Sequence, residues 1–161
     1  MKKAYFAGGC FWCITPIFKI YGAKSVTCGY AGGDGKRPTY EEVKSQKTDY
    51  RETICVEYDE SKVEYEKLLE IFLSNVDPYD AGGQFIDRGR SYTLAVFYVD
   101  DEQKKIAAEG IDKLERESGK KTFISLESFT NFFEAEDYHQ DFYLKNPEEF
   151  EKELISSGRK N

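Results

Sequence analysis

Hydrophobic and polar positions along the chain switch between a period of two and a period near 3.6, and the switches divide it into short strands and helices. Residues 3–7 read as a short strand closed by Gly8 and Gly9, and residues 11–21 as a helix stopped by Gly22. Residues 25–30 form a second strand running into the glycine-rich loop 29–35, and Thr39-Tyr40-Glu41-Glu42 has the spacing of a capped helix start. Over residues 53–58 the alternation is clean: Ile54, Val56 and Tyr58 share one face and Thr53, Cys55 and Glu57 the other. Carried backwards, the same period puts Glu52 on the apolar face. Tyr65, Leu68, Leu69 and Phe72 lie at helical spacing, and Asp77-Pro78 then opens a loop through Gly82, Gly83 and Gly89. Residues 92–99 are a nearly unbroken apolar run, the pattern of a strand buried on both faces. Asp100 with Gln103 predicts a helix N-cap, Ala107, Ile111 and Leu114 the buried stripe of that helix, and Gly119 its stop. The aromatic-rich residues 129–150 predict a short helix carrying Tyr138 and Phe142 and ended by Pro147.

No internal repeat or Pro/Ser-rich linker interrupts this alternation, so one domain is expected over residues 1–161, with its core at about residues 4–147 and a polar C-terminal tail. A chain of 161 residues, 40% of them hydrophobic, has the apolar material for one core. Thirty acidic against 23 basic residues give a net charge of -7 and no basic stripe, which disfavours nucleic acid and anionic membranes as partners. The segment before Gly8 is too short for a signal sequence and no apolar stretch reaches bilayer length, so a cytoplasmic location is expected. There thiols stay reduced, and Cys10, Cys13, Cys28 and Cys55 read as free thiols rather than structural disulfides.

A cysteine that follows two glycines and opens a helix meets unpaired backbone N–H groups and the positive end of the helix dipole, both of which favour the thiolate. Cys10 is therefore a candidate nucleophile; the alternative is a small buried hydrophobe. Phe11 and Trp12, the latter the only tryptophan, favour the first reading, because two large aromatics beside a turn cysteine are a costly way to fill a core.

The stretch Phe6-Ala7-Gly8-Gly9-Cys10-Phe11-Trp12 resembles the signature of the A-type peptide methionine sulfoxide reductases. Gly29-Tyr30-Ala31-Gly32-Gly33, Pro38-Thr39-Tyr40-Glu41-Glu42-Val43, Asp77-Pro78, Gly82-Gly83-Gln84-Phe85, Asp87-Arg88-Gly89 with Tyr92, and Ala135-Glu136-Asp137-Tyr138-His139-Gln140 resemble further family segments in family order. The resemblance implies a two-layer α+β domain, a mixed β-sheet with packed helices and the catalytic cysteine at the N-terminus of the first helix. It implies thiol-dependent reduction of methionine-S-sulfoxide, free or in proteins, as repair under oxidative stress. Cys10 would attack the sulfoxide sulfur, leaving a sulfenic acid. Phe11 and Trp12 would hold the substrate methyl group, Glu52 would protonate the departing oxygen, Tyr40 and Tyr92 would hydrogen-bond it, and Asp87 would organise the pocket. The periodicity adds its own support for Glu52, since a carboxyl beside Ile54 and Val56 is desolvated and its neutral form favoured. No bound cofactor or metal is expected, only an external thiol reductant such as thioredoxin, glutaredoxin or a small thiol, and the protein is expected to be a monomer.

Two departures from the family pattern stand out. Residues 148–161 contain no cysteine, where many relatives carry resolving cysteines near the C-terminus. Cys13 is the first candidate resolver, because Cys10-Phe11-Trp12-Cys13 has the spacing of a disulfide across one helical turn; Cys28 and then Cys55 follow, and direct reduction by an external thiol remains open. Tyr50-Arg51 precede Glu52 where many relatives carry histidine and a small residue, which bears on access to Glu52. Among rival readings, Cys-x-x-Cys after a strand suggests a disulfide oxidoreductase but has no support elsewhere. A cysteine hydrolase would pair Cys10 with His139, the only histidine, which reads as a surface or packing residue. Zinc would need a second close cysteine pair, and a non-catalytic peptide-binding module would have no use for Cys10 and Glu52 together.

Overall fold

The computed structural model describes residues 1–159. In chain order the elements are β1 (Lys2–Ala7), α1 (Phe11–Ile20), β2 (Ser25–Ala31), α2 (Tyr40–Lys44), β3 (Arg51–Tyr58), α3 (Tyr65–Ser74) and the two-residue strands β4 (Gly83–Gln84) and β5 (Asp87–Arg88). Then come β6 (Ala95–Tyr98), α4 (Asp101–Ser118), β7 (Ser125–Ser128), β8 (Phe132–Glu134), α5 (Phe142–Lys145) and α6 (Pro147–Ser156). Six strands form one sheet in the order β7-β6-β1-β3-β2-β8, antiparallel throughout except for the parallel pair β6–β7. This is a mixed sheet of an α+β fold, with β4 and β5 as a separate hairpin.

The period-two faces read in β3 sort as expected. Ile54, Val56 and Tyr58 join Phe6, Phe11, Phe18, Leu68, Phe72 and Ala107 in the larger core, so α1, α3 and α4 cover one face of the sheet. Cys55 lies on the other face with Tyr5, Ala7, Ala95 and Phe97, where Phe129 and Phe132 cover it. The caps also form. Thr39 and Glu42 make the reciprocal capping box of α2, Asp100 accepts from the Gln103 N–H at the start of α4, and Gly119 ends α4 in the left-handed conformation.

Three features differ from the sequence reading. The apolar run at 92–99 yields only a four-residue strand, because Arg90–Tyr92 wind into a 3-10 turn and Leu94 packs in the core before the sheet begins. Pro147 does not close the only late helix; α5 ends before it, and with φ fixed for a first helical position it opens α6. The strands β7 and β8 carry no strong alternation and were not expected. Among the described residues no helix is long and apolar enough to cross a membrane.

Gln140 ties the late segment to the backbone at the sheet edge. Gln140 accepts from the Cys28 N–H at 2.8 Å and donates to the carbonyls of Cys28 and Ala135 at 2.9 and 3.0 Å, continuing the β2–β8 ladder beyond the end of β8. Gln140→Leu is expected to lower unfolding stability by roughly 2–3 kcal/mol in a urea titration, because it leaves partly buried backbone groups unpaired. A loss below about 0.5 kcal/mol would show that this junction does not hold the segment.

Candidate active site

The turn from β1 into α1 depends on Gly9, whose φ of +87° is a left-handed conformation. A Cβ there would lie 2.8 Å from both Arg159 Nη2 and Gln84 Cβ, so the residue is glycine for conformation and for space. Arg159 reaches the same turn from the far end of the chain. It donates to the carbonyls of Gly8 at 2.8 Å and Asn75 at 3.3 Å, and its guanidinium lies 4.7 Å from the centre of the Phe85 ring. The stretch read as a polar tail therefore forms α6 and returns to the turn that presents Cys10.

Cys10 is the N-cap residue of α1, as expected, but its side chain makes no capping hydrogen bond. The adjacent helical donor, the Phe11 N–H, is given instead to Glu52 Oε1 at 3.1 Å. The expectation of a stabilised thiolate is accordingly corrected. The Cys10 thiol is pushed well above its ordinary range, first by its hydrogen bond with the Cys13 thiol, then by burial and by the fields of Cys13, Glu52 and Asp87.

Glu52 sits on β3 opposite Tyr30 of β2 and is 2% exposed, on the apolar face that the period required. Burial pushes its carboxyl up to about 8; the Phe11 N–H and Lys44 pull against this, and Asp87 and Cys13 add to it. Near neutral pH it is a protonated donor. Arg51 points to the other face, bonded to Thr93 at 2.8 Å and Glu127 at 2.6 Å, and Tyr50 bonds the Lys36 carbonyl, so neither obstructs Glu52.

One cavity of about 200 Å³ is lined by Cys10, Phe11, Trp12, Tyr40, Glu52, Asp87 and Tyr92, together with Lys44 and Glu153. The first seven are the site residues read from the sequence. Tyr40 is held by its N–H, which donates to Glu136 Oε2 at 2.9 Å, while Glu136 Oε1 accepts from Tyr30. The hydroxyls of Tyr40 and Tyr92 make no hydrogen bond among the described residues, and burial, then the Glu52 field, raises both phenols. Both remain neutral donors. Asp87 on β5 has a buried Oδ2 without a partner, and burial followed by Glu153 raises its carboxyl.

Trp12 stacks on Phe142 at 3.9 Å, and its Nε1 donates to His139 Nδ1 at 2.9 Å. His139 is fully buried, and burial pushes it down to about 4, so it is a neutral acceptor that orients the indole. It is a packing residue with a specific partner, and it makes no hydrogen bond to Cys10. Cys28 bonds Thr15 Oγ1 at 3.2 Å within the core, and Cys55 lies across the sheet. The thiol beside Cys10 is that of Cys13. The sequence reading missed Lys44, Glu153 and Arg159 as parts of the site: Lys44 lies one helical turn from Tyr40 on α2, a spacing that could have suggested it, whereas Glu153 and Arg159 reach the site only through the tertiary fold. Among the described residues, one group has the spacing of a metal site, Cys10 with Asp87 and Glu153, whose ligand atoms lie within 4.8 Å of one another.

Residues 2–161 match the family model described as peptide methionine sulfoxide reductase. The chain is 47% identical over 160 residues to the peptide methionine sulfoxide reductase MsrA of Bacillus velezensis, covering 97% of this chain and 90% of that one. Reduced Mxr1 from Saccharomyces cerevisiae superimposes with a TM-score of 0.86 at 28% identity, covering 91% of this chain and 86% of Mxr1. Mxr1 solved in complex with Trx2 superimposes with a TM-score of 0.59 at 21% identity over 88% of this chain and 84% of that one, a likeness of fold.

The raised Glu52 carboxyl links stability to pH. Its pKa in the folded chain, about 8, exceeds the ordinary 4.5, so its contribution is complete below 4.5 and is lost as pH rises through 8. Glu52→Gln is expected to flatten the fall in unfolding free energy between pH 5 and pH 8, measured by urea titration at each pH. An unchanged slope would show that Glu52 is not buried in its neutral form.

Proposed function

The chain belongs to the peptide methionine sulfoxide reductase family, and on that premise we propose that Cys10 is the nucleophile and Glu52 the proton donor in its reduction of methionine sulfoxide. The observation that carries this reading is a protonated, buried carboxyl in the same small cavity as a cysteine at a helix start, with two uncommitted phenols beside it. The Cys10 sulfur bonds to the sulfoxide sulfur while Glu52 passes its proton to the sulfoxide oxygen, and the proton of the Cys10 thiol restores Glu52. The protonated oxygen then passes from the methionine sulfur to the Cys10 sulfur as the bond between the two sulfurs breaks, so that methionine leaves with its sulfur reduced and Cys10 is left as a sulfenic acid. Tyr40 and Tyr92 donate to the oxygen as charge builds on it, which suits hydroxyls with no other partner. Phe11 and Trp12 receive the methyl group, with Trp12 fixed by His139 and Phe142. Asp87 supplies an acceptor for a substrate N–H.

Three different surroundings around one sulfur, an aromatic wall, an acid and a thiol, accept one hand of the sulfoxide. The family resemblance makes that the S epimer. Recycling begins with the Cys13 thiol attacking the Cys10 sulfenic sulfur, releasing water and forming a disulfide; an external dithiol of the thioredoxin type then reduces it. Contact between the two thiols supports Cys13 over Cys28, and the yeast complex with Trx2 supports a thioredoxin-like reductant. The enzyme works as one domain and a monomer in the cytoplasm, without a bound cofactor, on oxidised methionine free or in proteins.

Cys10→Ser is expected to abolish turnover with the fold intact, and Glu52→Gln to lower it by roughly two to four orders of magnitude, the usual contribution of a positioned acid. Full activity in either folded variant would overturn its assignment. After one turnover without reductant, peptide mass mapping is expected to find a disulfide between Cys10 and Cys13. A disulfide that persists in Cys13→Ser would transfer the resolving role to Cys28, and stable sulfenic acid in the unaltered protein would assign recycling to an external thiol.

A further inference from the structure

Arg159 makes no ion pair among the described residues, although Asp77 lines the same groove. Its guanidinium is committed instead to the Gly8 carbonyl at 2.8 Å, the Asn75 carbonyl at 3.3 Å and the Phe85 ring, and its Nε is buried without a partner. A charged group that leaves a buried donor unmatched is unfavourable unless its other contacts require the placement. Those contacts join three segments that all lead to the site. Gly8 stands in the turn that presents Cys10. Asn75 caps α3, and the chain just beyond it is bonded to the fully buried Gln84, which accepts from the Asp77 N–H and donates to the Asp77 carbonyl, both at 2.8 Å. Phe85 follows in the turn between β4 and β5, and β5 carries Asp87. This hairpin needs such a tie. It is a two-stranded sheet apart from the main one, so no ladder to that sheet fixes it, and Phe85 has a φ of +57°, a left-handed conformation that a bulky residue keeps only where its surroundings hold it.

We propose that Arg159 is a positioning residue for sulfoxide reduction: it sets the register of the Cys10 turn against the hairpin that carries Asp87, so that nucleophile and acceptor meet one substrate at the same time. This rests on Cys10 being the point of attack and Asp87 the acceptor for a substrate N–H. Arg159 lines a groove with Cys13 and Leu154 rather than the catalytic cavity, so it acts through the segments it joins and not on the reacting atoms. The two segments are already in contact there, since a Cβ on Gly9 would lie 2.8 Å from Gln84 Cβ, and a small slip of one against the other changes the spacing between Cys10 and Asp87. Burial and then Glu153 raise the Asp87 carboxyl, and Arg159 draws it back down, so the charge serves the same end of the site as the hydrogen bonds. The planar fork is the property required. An ammonium on a flexible stem cannot hold two carbonyls from different segments and lie against a ring in one fixed geometry.

The test is the rate of methionine formation in a single turnover of the reduced enzyme without external reductant, measured across concentrations of N-acetyl-methionine-S-sulfoxide methyl ester, with each variant shown by urea titration to be folded under the assay conditions. Arg159→Met, which keeps an apolar stem and loses the donors, is expected to lower the saturated rate roughly ten- to a hundredfold, the scale of a small misplacement of reacting groups, with the half-saturating concentration within about twofold. Arg159→Lys is expected to lose about tenfold. In an Asp87→Asn background Arg159→Met is expected to cost a smaller factor, because the acceptor it places is gone. A saturated rate within twofold of the unaltered enzyme in Arg159→Met would overturn the proposal, as would a loss confined to the half-saturating concentration or the same factor in both Asp87 backgrounds. Should Arg159→Met not fold, Arg159→Lys decides, and a rate within twofold there would overturn it. Inert Arg159 variants beside a dead Cys10→Ser enzyme would remove the positioning role alone; activity surviving in Cys10→Ser would remove the reading beneath it.

Discussion

The hydrogen bond from the Phe11 N–H to Glu52 Oε1 is the contact on which the site turns. It joins the first turn of α1 to β3, and it settles which group receives the donor that a helix start offers. Given to Glu52, the donor holds a carboxyl at the bottom of an apolar cleft, where ionisation is costly and the proton is retained. The Cys10 side chain accepts no helix donor, and its thiol lies beside that of Cys13. In the proposed roles the pair is matched: a nucleophile that keeps its proton until attack and an acid that has one to give. Burial is the first cause for Glu52 and, after the neighbouring Cys13 thiol, the second for Cys10, so water entering the cleft would weaken both.

Around that contact the aromatic residues have distinct tasks. Phe11 is buried between Tyr30 and His139, while Trp12 is partly exposed and held by a stacked ring on one side and an imidazole acceptor at its edge. Residues 135–140 supply much of this support: Gln140 extends the sheet ladder, Glu136 ties Tyr30 to the Tyr40 backbone, and His139 fixes the indole. A segment of short turns thereby acts as a brace behind Phe11 and Trp12. On the opposite side the C-terminal helix performs a second bracing role through Arg159, against a turn where only glycine fits. The turn that carries Cys10 is thus held between chain segments far apart in sequence, 151 residues for the Gly8–Arg159 bond.

The sequence by itself determined much of this protein. Alternation in β3 assigned Glu52 to the apolar face and Cys55 to the other, and the burial of each follows from that strict period. Caps at Thr39 and Asp100, local devices complete within four residues, were legible for the same reason. The family segments contain six of the seven residues that line the cavity beside Lys44 and Glu153, and the seventh, Glu52, came from the role the resemblance implies and from the period of its strand. Only the tertiary structure decided the rest. Strands β7 and β8 exist because neighbours pair with them, not because their own residues alternate. The state of Cys10 depends on burial and on neighbours such as Glu52 and Asp87 that only the fold brings to it, and the places of His139, Glu153 and Arg159 depend on packing between distant segments. Periodicity reports which face a residue takes within its own element. It contains no information on which distant element will meet that face, and that meeting set the electrostatics of the site.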